Sequence, residues 1–139
     1  MEEESGLSGV RRRTASGWDG IVPTTYKNEP GTWVDVARHV LFDSPDSQFQ
    51  VRYFEIAPNG YSSFEMHEHE HCVVVIRGSG KVRLGDSWQD IHEGDLVRVL
   101  SSTPHQFRSE GETLGILCVV DADRDAPRLL GNSEPPISS

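Results

Sequence analysis

The sequence predicts an all-β fold, a single antiparallel sandwich or barrel without a convincing helix. Three observations carry this. Hydrophobic residues make up only 35% of the 139 residues while Gly (13) and Pro (8) are frequent, the balance of a turn-rich β chain rather than of a helical bundle. Short apolar runs recur at about eight places, each closed by a turn signal. Within the clearest of them apolar and polar residues alternate with period two, as a half-buried strand requires.

The elements follow in order. Residues 1–20 are polar and Gly/Ser-rich, and are expected to form a flexible N-terminal tail unless they cover a sheet edge. Arg11, Arg12 and Arg13 are preceded by Glu2, Glu3 and Glu4, so both runs read as solvated tail. The first strand spans 33–42 and ends in the turn Asp43-Ser44-Pro45-Asp46-Ser47. In 48–56, Phe49, Val51, Tyr53 and Glu55 oppose Gln50, Arg52, Phe54 and Ile56, and Pro58-Asn59-Gly60 marks a turn. Further strands are expected over 73–77, 81–84, 87–92, 95–100, 105–108 and 114–120. Gly78-Ser79-Gly80, Gly85-Asp86, Glu93-Gly94 and Glu110-Gly111 supply the turns between them. The folded domain therefore covers 21–121. Residues 122–139, rich in Asp, Pro and Ser, form an extended C-terminal tail in which the pair Leu129-Leu130 is available to dock.

A net charge of −9 speaks against a broad nucleic-acid surface, which needs a basic footprint. No stretch approaches the roughly 18 apolar residues of a membrane span, and no secretory signal is visible. Cys72 and Cys118 both lie in apolar runs, as reduced, buried thiols of a cytoplasmic protein would.

The chemistry concentrates in residues 65–71, Glu-Met-His-Glu-His-Glu-His. If this segment is extended, Glu65, His67, His69 and His71 share one face, and Met66, Glu68 and Glu70 the other. Imidazole nitrogens and carboxylate oxygens at one surface suit a first-row divalent cation. The competing reading is a hydrated polar strand, with Glu68 and Glu70 as surface carboxylates in either case. His39 and His92 have no spacing partner and are expected at the surface.

Two motifs make the chain resemble the small single-domain cupins, whose fold is a double-stranded β-helix or jelly-roll barrel. The resemblance covers residues 48–120. The family's first motif is Gly, then His-x-His, then Glu three or four residues on, then Gly six residues later. Gly60 and Gly78 bound it here, which places Glu65 at the first His, His67 at the second and His71 at the Glu. A four-histidine form of this motif also exists in the superfamily. The second motif is Gly, five residues, Pro-x-Gly, two residues, His, three residues, Asn. Gly94 and His105 keep its spacing, whereas Leu100, Ser102 and Ser109 replace Pro, Gly and Asn. These departures put the shape of the local loop in question and leave the ligand in place.

The resemblance implies a divalent metal (Mn, Fe, Ni or Zn) held by Glu65, His67, His71 and His105, with positions open to substrate. It sets His69 at a non-ligand position, against strict alternation; there His69 would brace a ligand or move a proton. Glu65, were it not to coordinate, would serve as general base. Cys118 lies in a strand whose alternate residues face the interior. It is either a small buried hydrophobe or a thiol at the site, where a nearby cation would favour its thiolate. Cys72, adjacent to His71, points away, and Phe107 shares a face with His105.

The function expected is a metal-dependent enzyme acting on a small polar metabolite, such as a keto-sugar, sugar phosphate or carboxylate. The chemistry would be of the Lewis-acid/enediolate type: lyase, isomerase or methylthio transfer. The Glu-x-His-x-His-x-His form with Leu-Cys-Val-Val is similar to the cupins that act on methylthio-xylulose phosphate. Alternatives are an Fe(II) dioxygenase and a non-catalytic metal- or ligand-binding cupin, since one jelly roll carries many chemistries. Apolar 33–42 and the open edges of a small barrel need cover, so a homodimer is expected.

Overall fold

The computed structural model describes residues 8–25, 33–121 and 128–129. Glu2, Glu3, Glu4, Leu130 and most of the expected C-terminal tail lie outside the described residues. The first half of the chain forms β1 (Arg13–Thr14), β2 (Gly17–Trp18), β3 (Thr24–Thr25), β4 (Val34–Asp43), β5 (Phe49–Tyr61) and β6 (Glu65–Met66). The second forms β7 (His71–Arg77), β8 (Ser79–Leu84), β9 (Ser87–His92), β10 (Leu96–Val99), β11 (His105–Ser109), β12 (Leu114–Asp121) and β13 (Arg128–Leu129). The described residues contain no helix, so none is long and apolar enough to cross a membrane.

Every pairing is antiparallel, and eleven of the strands belong to one curled sheet. Its spine is β5. The 49–56 half of β5 lies between β12, with Phe54 opposite Ile116, and β4, with Phe54 opposite Arg38. Beyond the expected turn at Pro58-Asn59-Gly60 the chain does not reverse. Asn59 takes a left-handed φ of 68°, which Asn tolerates better than most residues, and the strand bends. Tyr61 then pairs with Arg108 of β11. One strand thus serves both walls of the barrel.

Even-numbered β5 residues and their neighbours face inward. Ile56, Val75, Val82 and Leu114 are at most 2% exposed and form the core with Ile91, Phe107 and Ile116. Gly78 turns β7 into β8 at a φ of 69°, and a Cβ there would collide with the Thr113 carbonyl oxygen, so only Gly fits.

Outside the barrel, β1 and β2 form a hairpin within the segment read as tail. It sets the Trp18 ring edge-on to Tyr53 at 5.2 Å and to His39 at 6.3 Å. This corrects the expectation for His39, which is 1% exposed rather than superficial. Burial holds its pKa below the usual 6.5, against the pull of the Glu55 carboxylate. His92 is exposed, as expected.

Two of the three departures in the second motif, Ser109 and Ser102, keep a backbone role. Ser109 donates from Oγ to the Ala57 carbonyl at 2.5 Å and accepts from the Gly60 N–H at 3.0 Å, which fastens the bend in β5 to β11. Ser102, at the family's Gly position, holds φ at 60°. That conformation costs a side-chain-bearing residue roughly 1–2 kcal/mol, partly offset by the extra freedom that Gly loses on folding, about 0.5–1 kcal/mol. Ser102→Gly is therefore expected to stabilise the protein by about 0.5–1 kcal/mol. That corresponds to a rise of roughly 2–4 °C in Tm, and a thermal melt showing a fall would contradict the strain assigned here.

Candidate metal centre

Three separate strands deliver the site. β6 is only two residues long, because Glu68, His69 and Glu70 give the sheet no apolar side chain to bury, and the chain bends at residues 68–69. It re-enters the sheet at His71, opposite Val99 of β10. His105 opens β11 between Glu65 of β6 and Leu84 of β8. The turn between β10 and β11 clamps the bent segment. The Ser102 N–H donates to the His67 carbonyl at 2.7 Å, and Ser101 Oγ donates to the Glu68 carbonyl at 2.5 Å.

This brings His67, His71 and His105 together, with one ring nitrogen of each lying within 4.8 Å of the others. Their ring centroids are 4.1, 5.2 and 5.8 Å apart. Glu65 joins them, its Oε1 lying 2.9 Å from His67 Nε2, while Ser63 Oγ donates to its Oε2. All four side chains are buried. His105 Nδ1 lies 2.9 Å from the Thr103 carbonyl. A carbonyl can only accept, so Nδ1 carries the hydrogen and Nε2 keeps its lone pair for a cation. Burial is the main cause that pushes the His105 pKa down to about 4. The ring is thus neutral, the form that binds metal, throughout the physiological range. Three converging imidazoles beside a buried carboxylate match the donor chemistry of Mn, Fe, Ni or Zn.

Strict alternation fails at His69. The bend turns this side chain to Asp121, with Nδ1 3.3 Å from Oδ2 and about a third of its surface exposed, and it does not line the cavity. Glu68, Glu70 and Cys72 are exposed. Cys118 faces inward and is 8% exposed. It lines a cavity of about 180 Å³ together with Glu65, His67, His71 and His105, and neither cysteine is in a disulfide. Phe107 lines the same cavity, its ring 6.4 Å from that of His105.

Sequence reasoning missed Arg38, Arg52 and Trp33, which also line the cavity. A signal was present: Arg52 shares its alternation class with Phe54 and Ile56, the face that proves to be internal.

Two outcomes follow. His67→Ala, His71→Ala and His105→Ala should each cut metal retention sharply in elemental analysis, while Glu68→Gln and Glu70→Gln leave it unchanged; full occupancy in the His105 variant would break the site. The second outcome concerns acid. The His105 pKa is lower folded than unfolded, so between 6.5 and about 4 the unfolded chain binds a proton that the native one does not. Stability is therefore fully present above 6.5 and is lost as pH falls through this window. The lowered pKa of His39 adds in the same direction. Tm measured without metal should be flat above pH 7 and fall below 6.5, less steeply in His105→Ala.

Comparison with known proteins agrees with this geometry. The cupin domain pattern matches residues 52–120. The chain is 38% identical over 114 residues to 1-methylthio-D-xylulose 5-phosphate methylsulfurylase of Rhodospirillum rubrum, covering 81% of this chain and 73% of that protein. The crystal structure of a cupin 2 conserved barrel domain protein from Rhodopseudomonas palustris superposes with a TM-score of 0.79 at 42% identity, covering 87% of this chain and 86% of that one. A cupin-2 domain structure from Rhodospirillum rubrum gives a TM-score of 0.78 at 35% identity, with 88% and 83% covered. With its jelly-roll sheet and its His67, His71 and His105 cluster, the chain belongs to the cupin family.

Proposed function

We propose that this cupin is a metal-dependent enzyme that moves a methylthio group from a phosphorylated keto-sugar thioether to Cys118. The substrate class is that of 1-methylthio-D-xylulose 5-phosphate, named for the Rhodospirillum rubrum relative. The observation that carries the reading is the position of Cys118, a thiol facing the cavity into which the three imidazoles converge. Val73, its neighbour on β7, lies two residues from His71 on the same face, so the sulfur and the ligand set are diagonal neighbours, about 7–8 Å apart at the backbone.

A divalent cation held by Glu65, His67, His71 and His105 would supply Lewis-acid polarisation of the substrate ketone. The residues of the chain supply the rest. Ser63 and the Thr103 carbonyl fix the orientations of Glu65 and His105. Phe107 and Ile116 exclude water from one wall. Arg52 lies directly across the sheet from Cys118, and a guanidinium beside a sulfur favours its thiolate form. The thiolate attacks the methylthio sulfur, and the carbon–sulfur bond breaks with its electron pair left on carbon, conjugated with the ketone. That carbon takes up one proton and becomes a methyl ketone. Cys118 is left as a methyl disulfide, oxidised as the carbon is reduced; a thiolate from solution then attacks the methylthio sulfur, expels the Cys118 thiolate and leaves as its own mixed methyl disulfide.

Cys118→Ser tests this. It should keep wild-type metal content and an unfolding free energy within about 1 kcal/mol of wild type, yet lose thiol-dependent turnover of 1-methylthio-D-xylulose 5-phosphate by roughly a thousandfold or more. Wild type incubated with the substrate and no added thiol should gain the mass of one methylthio group less a hydrogen, mapped to Cys118. Full turnover in the serine variant would overturn the proposal.

A further inference from the structure

We infer that Arg38 and Arg52 form an anion subsite that grips the phosphate of a small phosphorylated substrate whose reacting end lies at the histidine cluster. The inference rests on the enzyme reading above and assigns a role to residues that the metal chemistry does not use. β4 and β5 pair so that Arg38 stands opposite Phe54 and Val40 opposite Arg52. The two arginines are therefore diagonal neighbours on one face, with backbones roughly 7–8 Å apart. From that spacing two long guanidinium forks can converge on one tetrahedral dianion, the geometry in which Arg outperforms Lys.

Charge supports the same assignment. Among the described residues that line the cavity, Glu65 is the one carboxylate, and it already engages Ser63 and His67. Two permanent cations face it inside a chain whose net charge is −9. The anionic surface thus gives way to a cationic wall inside the barrel. Gln50 Oε1 accepts from Arg52 Nε at 2.5 Å, which orients that guanidinium. Trp33, stacked on Phe54 at 6.1 Å, makes the adjoining wall apolar, and low polarity strengthens a charge-assisted hydrogen bond.

The register also sets the order of the parts. Arg52 faces Cys118 across β5 and β12, and Cys118 is followed on β7 by Val73 and then His71. Phosphate, transferred sulfur and ketone would therefore lie along one row of the cavity wall. A cavity of about 180 Å³ is smaller than the usual drug-sized pocket, roughly 300–1,000 Å³, and suits a short sugar phosphate better than a nucleotide.

The test uses metal-loaded full-length protein and two stable probes, D-xylulose 5-phosphate and D-xylulose, with calorimetric affinities, metal content and Tm recorded for each variant. Wild type should bind the phosphate ester at least about tenfold more tightly than the free sugar, and inorganic phosphate should compete. Arg38→Gln and Arg52→Gln should each lose about tenfold of that preference, and the double variant should lose nearly all of it with metal content unchanged. Should the glutamine variants melt early, Arg38→Lys and Arg52→Lys keep charge and stem packing and should give an intermediate preference. A preference that survives in the double variant places the phosphate on the metal and overturns the subsite, as does a wild type that does not discriminate. Discrimination that depends on both arginines without any methylthio transfer would sink the transferase reading alone. Transfer that tolerates loss of both arginines would sink the subsite, together with the support that Arg52 gives the Cys118 thiolate, and leave the transfer to Cys118 standing.

Discussion

The pairing of Glu65 with His105 across β6 and β11 is the contact on which the site depends. It joins two segments far apart in sequence and fixes which face of each strand is internal. A slip of one residue would turn His105, the ligand on β11, to the outside, so the register has to be pinned from several sides. β8 holds the other edge of His105. The Ser102 N–H and the Ser101 hydroxyl hold the carbonyls of His67 and Glu68. Ser109 ties the far end of β11 to the bend at Gly60. Each of these contacts, from an amide or a serine hydroxyl, holds a backbone group, and together they let a two-residue strand carry a buried ligand without a long ladder of its own.

The strand set was largely legible in the sequence because each run of β-branched and aromatic residues ends at a Gly, Pro or Asp turn, and because the glycines at 60 and 78 bracket the histidines. His67, His71 and His105 could be picked out from spacing together with family resemblance. Spacing alone would have failed: period-two projection assumes a continuous strand, and the bend at residues 68–69 removes His69 from the face it should share. His39 was misread for a different reason. Its burial comes from Trp18 of a hairpin more than twenty positions earlier, in a segment whose Gly/Ser composition reads as tail, and nothing local to His39 signals that cover. Arg38 and Arg52 were overlooked because an arginine on a strand ordinarily implies an outer face; the alternation class that Arg52 shares with Phe54 and Ile56, and the register of β4 against β5 for Arg38, set theirs on the inner one.

A polar cavity has a structural consequence for so small a barrel. Four ligands, a thiol and two arginines occupy inward positions that apolar side chains would otherwise fill, so the apolar cluster that runs from Val36, Val75, Val82 and Leu114 to Val73, Val99 and Val120 also has to wall the cavity. Each such position forgoes burial of apolar surface, the main source of stability. Additional packing is found on the opposite surface of the same sheet. Tyr53, 1% exposed, lies under Trp18 and beside His39, and donates its hydroxyl to Glu55 Oε2 at 3.0 Å. Arg77 of β7 donates to that same oxygen at 2.5 Å.

This outer network spans three strands, and Gly115 makes it possible. Gly115 of β12 pairs with Glu55 on one side and Arg77 on the other, directly beneath the bridge. A Cβ there would stand 2.9 Å from Tyr53 Cε1 and collide with its hydroxyl, so any larger residue would push the ring off the sheet. With the ring in place, β5, β12 and β7 are locked in register from outside. Arg52, Cys118, Val73 and His71 occupy the inner face of those same strands. Burial and the Glu55 carboxylate raise the Tyr53 pKa to about 12, so its hydroxyl remains a donor across any pH at which the fold is useful. The outer aromatic layer thereby holds the order of the inner polar row, and a barrel that gives up part of its core to chemistry recovers rigidity from its other face.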